Sequence, residues 1–463
     1  MSRATRLSRA QRHALRKSQR EAVGSAVMTG VCDNYLAAFA LFLNATAQQI
    51  GWVVALPQLV GPWAQLISVW LARRGVRRIV LILAGASFQS LTIAVLIGMC
   101  VETFSQAVVI LVITAVLFQA GGHLVQPQWR ALMVLLVPVE RRGRYFARRS
   151  RITAVASFSA LAGGGLCLEL AKQFDATGWG FALLFGCALL GRIASVRLLA
   201  TLRPFDSPPT STPRQTPLFP LWRELSRIAA DREFRRFTLF VALMQGAVAI
   251  AGPFFSVHML RNLGFSYLEF MANLAASIVM QLLTLSSWGT ISDHLGNRII
   301  MVSTAFLIPL LPLLWIVSDN FWYLFAVQSL AGLAWGGFTL SATNYLYDLR
   351  PAGSELASFA AVQAVASGFA IFCGAAFGGF LADGLPTVIN LTGVSITFTN
   401  TLYGVFAISA GLRLCIALWF APRLVEIRLS ADATVNQLIY RLARFNPITG
   451  TVMDILGSVS RRR

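Results

Sequence analysis

An all-α polytopic membrane protein, with twelve transmembrane helices arranged as two six-helix pseudo-repeats, is the fold class this chain predicts. Three observations carry that reading: composition, the spacing of apolar runs, and the placement of positive charge. Of 463 residues 56% are hydrophobic and 13% charged, with a mean hydropathy of +0.66, too apolar for a soluble chain of this length. Crossing the hydrocarbon takes about 20 apolar residues in a helix. Runs of that kind fall at 22–44, 49–71, 78–101, 107–134, 152–170, 178–201, 237–260, 267–288, 299–317, 321–346, 357–382 and 402–421.

The formal charge of +20 is a statement about topology. With the N-terminus in the cytoplasm and every run crossing once, 33 of the 39 Lys and Arg lie inside. Lys172 and Arg261 lie outside, and Arg130, Arg192, Arg197 and Arg413 lie within spans. That is the positive-inside bias. Acids show no matching segregation, so the basicity does not point to nucleic acid. The first run is too long for a signal peptide's apolar region and reads as an uncleaved span. The six cysteines lie in predicted spans without paired spacing, which disfavours disulfides and metal sites. The predicted organisation is a basic N-terminus (1–21), a six-helix bundle (22–201), a cytoplasmic linker (202–236), a second bundle (237–421) and a cytoplasmic tail (422–463). The protein is expected in a plasma membrane of the bacterial inner-membrane type, as a monomer with both termini cytoplasmic.

Four segments repeat in the same order in the two halves. "RRGVRRIVLI" (73–82) corresponds to "DHLGNRIIMV" (293–302), and "LVPVERRGRYFARRSR" (136–151) to "LRPAGSELASFAAVQA" (349–364). "GGLCLE" (164–169) corresponds to "GGFLAD" (378–383), and "FGCALLGR" (185–192) to "FAISAGLR" (406–413), which matches Arg192 with Arg413. The linker holds six prolines and seven arginines. Its second part, "LWRELSRIAADREF", and a stretch near 433–445 carry apolar stripes that suggest helices lying on the bilayer surface.

Twelve spans as six plus six, a basic central linker and "GTISDHLGNR" after span 8 resemble the major facilitator superfamily of secondary transporters. The superfamily's cytoplasmic signature maps onto Gly289, Asp293, Gly296 and Arg298, with His294 where arginine is usual. The loop before span 5, Pro138 through Phe146, is similar to a second conserved cytoplasmic segment of that superfamily. The aligned first-half positions are Ala72 and Leu135, so the acids Asp293 and Asp348 survive only in the second half. The resemblance implies a cytoplasmic gate in which Asp293 faces the start of span 5 around Arg144 and Arg148, and the arginines of loop 2/3 reach Asp348 or Glu355. A plain solvated loop is the alternative.

The resemblance also implies a central cavity lined by spans 1, 4, 7 and 10. Span 4 carries Gln119, His123, Gln126 and Arg130 on one helical face. Candidate substrate or coupling residues elsewhere are Asp33 and Asn34 in span 1, Gln245 in span 7, and Trp335 and Thr339 in span 10; helix packing explains such stripes equally. Asp33, near mid-membrane, must be paired, protonated or wet. Either it pairs with Arg192, or it faces the cavity as a site for a proton or substrate. His123 has two readings as well, a proton-exchanging group or a packed one. Arg130 and Trp129, after Pro127, are either contacts for an anionic or ring-bearing substrate or membrane-edge anchors.

These features predict a secondary active, proton-coupled or facilitative transporter of a small solute, working by alternating access. A proton-linked exporter or lipid transporter is the alternative within that class; a non-transporting receptor or assembly factor is the alternative outside it. An enzyme is disfavoured, since no clustered carboxylates, metal-ligand motif or phosphate-cradling loop occurs. No cofactor is expected. Span 5 lacks the Gly-Pro signature of proton-linked drug exporters, which favours import or facilitated diffusion slightly.

Overall fold

The computed structural model describes residues 8–101, 106–137, 142–206, 227, 230–349, 356–384, 388–391, 394–397 and 401–426. Twelve helices within it are long and apolar enough to cross a membrane. In hydrocarbon each backbone polar group needs a partner from its own segment, which a helix supplies, so the apolar runs become helices. Residues 427–463 of the expected tail and most of the linker, with the two amphipathic stripes, lie outside the described residues.

Helices α1 (Arg9–Phe42), α2 (Ala47–Arg73), α3 (Arg78–Val101), α4 (Ala107–Leu136), α5 (Arg142–Gln173) and α6 (Thr177–Ala200) follow the first six runs. The largest departure is at α1, which begins 13 residues before the apolar run that starts at 22. Ser8 and Gln11 explain it: the Gln11 amide donates to Ser8 Oγ at 3.0 Å while the Ser8 amide donates to Gln11 Oε1 at 3.1 Å. That reciprocal cap starts a helix without any need for apolar residues. Thr46 and Gln49 start α2 in the same way.

Contacts divide the chain into two compact units. Unit 1 comprises residues 1–223 together with Pro253–Met271. Within it α1 and α6 cross at Gly24 and Gly191, where a Cβ on Gly24 would run into the Gly191 carbonyl. Phe39 packs against Phe181 and Phe185 with ring centroids 5.1 and 5.2 Å apart. The segment Pro253–Met271 adds the Phe270 ring, edge-on to Tyr35 at 6.4 Å. The Tyr267 amide donates to a Glu169 carboxylate oxygen at 3.0 Å. A carboxylate there complements the positive end of the helix that Tyr267 begins.

Unit 2 comprises Glu224–Gly252 and residues 272–463. Its helices are α7 (Arg232–Val257, continued by a π turn over His258–Asn262), α8 (Tyr267–Leu295), α9 (Asn297–Leu307), α10 (Leu310–Val317), α11 (Phe321–Leu349), α12 (Leu356–Gly384) and α13 (Thr401–Phe420). Both units draw on α7 and α8. A single span is formed by α9 and α10 together, interrupted at Ile308–Pro309. Pro309 and Pro312 cannot donate backbone hydrogen bonds, and the break follows. A short antiparallel hairpin, Val388–Leu391 with Val394–Thr397, joins α12 to α13. Unit 2 packs around Phe237, Phe240, Met244, Met301, Phe338 and Tyr345.

Candidate functional site

Unit 1 lines a cavity of about 330 Å³. Two helical faces supply most of its polar surface. From α1 come Glu21, Ser25, Thr29 and Asp33, spaced every fourth residue; from α4 come Gln119, His123, Gln126 and Arg130. Gln89 of α3, Arg149 of α5 and Arg192 of α6 complete the polar lining, while Met28, Phe118 and Trp129 supply apolar wall.

Five of the expected cavity residues therefore meet in one place: Asp33, Gln119, His123, Gln126 and Arg130. Asp33 is exposed to the cavity, and among the described residues it forms no ion pair with Arg192. Arg192 instead donates one terminal nitrogen to Gln89 Oε1 and the other to Ser195 Oγ at 3.3 Å. Gln89 is held in turn by donating to the Phe118 carbonyl at 3.0 Å. Asn34 stays outside the cavity lining; its amide donates back to the Gly30 carbonyl at 2.9 Å, a bond within its own helix. The His123 ring stands against Gly61, where a Cβ would approach Nε2 to 2.6 Å.

A buried acid at residue 21 is absent from the sequence reading, which ends the basic N-terminus there. Glu21 is 2% exposed. It accepts from Arg149 at 2.9 Å and from the Ser195 hydroxyl at 2.9 Å. The Arg149 guanidinium also lies 4.2 Å from the Trp129 ring centroid. It donates to the Ser18 carbonyl, and Tyr145 donates to Ser18 Oγ at 2.9 Å. One network thus ties α1, α3, α5 and α6 with two cations to one acid. Spacing was the available signal, since Glu21 continues the four-residue series of Ser25, Thr29 and Asp33 to one residue outside the apolar run.

The remaining expected residues lie in unit 2 or at helix ends. Gln245 is half-buried on α7. Trp335 meets Phe338 edge-on at 5.7 Å, and the exposed Thr339 donates to the Trp335 carbonyl at 2.7 Å. Gly289 falls in the last turns of α8, and Gly296 starts α9 with φ +86°. A Cβ at Gly296 would approach the Glu426 carboxylate to 2.5 Å. Arg298 donates to the carbonyls of Leu424 at 2.6 Å and Ala421 at 3.2 Å, answering carbonyls left open just beyond α13. Asp348 accepts from Asn297 at 2.7 Å. Arg148 is exposed. The side chains of Asp293 and Arg144, and the whole of Glu355, lie outside what the structure describes.

At the α2–α3 turn Asp206 accepts from the Ile79 amide at 3.0 Å, and at the α8–α9 turn Glu426 accepts from the Arg298 amide at 2.9 Å. Each acid follows a short 3-10 turn with a central proline, Arg203–Phe205 or Ala421–Arg423. This is a fifth correspondence between the halves, made of unlike acids in unlike local sequence.

The sequence signature of the MFS_1-like family matches residues 29–390. The chain belongs to the MFS_1-like family. As a member with twelve membrane-crossing helices it is a membrane transporter of the major facilitator type. No curated protein matches it. Among solved structures, a bacterial homologue of the human lysosomal transporter Spinster, inward-facing and occupied, superposes with a TM-score of 0.68 at 13% identity, covering 92% of this chain and 100% of that one. The nucleoside transporter NupG superposes with a TM-score of 0.63 at 12% identity, covering 89% and 98%. At such identities the likeness to this MFS_1-like chain is one of fold.

Proposed function

We propose that the protein is a secondary transporter that exposes its cavity alternately to the two sides of the membrane and uses Asp33 as its coupling group. One observation carries the reading: Asp33 is the cavity's uncommitted acid, exposed among Thr29, Gln119 and His123, while Glu21 is fully engaged. A carboxylate with water access at membrane depth can take up and release a proton, and its charge alters the energy of the two access states unequally. The test is a thermal-shift screen of purified protein against sugars, nucleosides, organic acids, peptides and lipids, then uptake of the stabilising compound into vesicles under an imposed pH gradient. Wild-type uptake should follow the gradient. Asp33→Asn should lose that dependence while still exchanging labelled for unlabelled solute. Gradient-independent uptake by the wild type removes the coupling role, and a compound that binds without ever crossing leaves a receptor.

The proposed orientation, in a bacterial inner membrane with both termini and the linker cytoplasmic, rests on the segregation of Lys and Arg. Reporter fusions after Lys172 and after Arg235 should report opposite sides; the same side for both would overturn it.

A further inference from the structure

The cavity's charges fall into two groups. Glu21 is matched by Arg149 and Ser195, and Arg192 by Gln89 and Ser195. Asp33 and Arg130 line the same cavity, both are exposed, and neither makes a hydrogen bond or ion pair among the described residues. The contacts around Glu21 set them apart along the cavity. Arg130 follows Trp129, whose ring carries the Arg149 guanidinium that binds Glu21. Asp33 lies twelve residues beyond Glu21 on the same helix, about 18 Å at the helical rise. A span of that order, less the reach of two side chains, suits an extended tripeptide, which covers about 10 Å at about 3.3–3.6 Å per residue. Between the ends the wall carries neutral hydrogen-bonding groups, Thr29, Gln119, His123 and Gln126, faced by Met28, Phe118 and Trp129.

We infer that the cavity takes an elongated zwitterion, with a cationic end against Asp33 and an anionic end against Arg130. This rests on the transporter reading, and the same carboxylate takes the proton in the step without substrate. A short zwitterion reaches one end only. A singly charged solute of the right length leaves one of the two cavity charges unanswered, so each end should contribute separately to affinity.

Binding of trialanine, N-acetyl-trialanine, trialanine amide and free alanine to the full-length protein in detergent, measured by calorimetric titration, tests this. Trialanine should bind at least tenfold more tightly than either singly capped form and than alanine. Arg130→Gln should erase the difference between trialanine and its amide while keeping the N-acetyl penalty; Asp33→Asn should do the reverse. Arg130→Lys and Asp33→Glu, which keep the charges, should keep both penalties and show that the neutral variants fail by charge. Equal binding of capped and uncapped forms, no binding of any of them, or variants that weaken all probes alike would overturn the inference. If that happens while Asp33→Asn still uncouples uptake of a compound from the screen, the zwitterion fails and the transporter reading stands.

Discussion

Arg192 in unit 1 and Arg413 in unit 2 occupy matched places in the repeat, are 3% and 2% exposed, and are held in opposite ways. Arg192 belongs to a side-chain network that reaches an acid, Glu21, through Ser195. Among the described residues Arg413 meets backbone only: it donates to the carbonyls of Ile308 at 3.3 Å and Val248 at 3.4 Å. The Ile308 carbonyl has a reason to need it. Its helical partner four residues on is Pro312, which has no N–H to give. Position 413 thus repairs a proline break in the span made by α9 and α10, whereas position 192 borders a polar cavity. A shared position in the repeat does not confer a shared role; the acid on α1 and the prolines after α9 decide it.

The comparison breaks most readily at Glu21. Glu21→Gln leaves Arg149 and Arg192 without their carboxylate where Glu21 is 2% exposed, and loss of one partner of a buried pair costs about 3–5 kcal/mol. Thermal unfolding in detergent should show the largest loss of any single variant here, and adding Arg149→Met should restore part of it by removing a stranded cation. A double variant no better than the single one would mean that Glu21 acts through packing alone.

Arg413→Met should cost less, at most about 1 kcal/mol. Orphaning the Ile308 carbonyl costs about 1–3 kcal/mol, and relief from burying a cation with no acid beside it offsets most of that. A loss equal to that of Glu21→Gln would erase the distinction between the two arginines.

The smallest effect belongs to the proposed gate. Asp293 is proposed to face the arginines before and within the first turns of α5, and a contact of that kind at a wet surface contributes about 1 kcal/mol. Asp293→Asn should leave unfolding nearly unchanged and raise labelling of single cysteines placed along the cavity, in a background free of the six native cysteines. Unchanged labelling would reduce Asp293 to a solvated loop residue.

Much of the site was legible before any coordinates. The face of α4 from Gln119 to Arg130 follows from helical periodicity and the acid at Asp33 from its depth in an apolar run, the resemblance implied that both helices line a cavity, and these residues do line one. Glu21 was missed because hydropathy starts the first span at 22, although Ser8 and Gln11 spell out a helix start in the sequence. Pairing Asp33 with Arg192 was open for a different reason: both sit near mid-span, and depth along the membrane says nothing about which face of a helix a side chain occupies in the bundle.

The sequence by itself determined the number of spans, their limits to within a few residues at most ends, and the family. Each of these depends on residues adjacent in the chain, since a helix satisfies its own backbone and its caps lie three residues away. Only the tertiary structure decided which charges are spent on each other. Glu21 and Arg149 are separated by 128 residues, and the turns at Ile79 and Arg298 are capped by acids more than a hundred residues downstream. Such bonds depend on how helices turn their faces to one another, and close crossings such as Gly24 against Gly191 set that rotation.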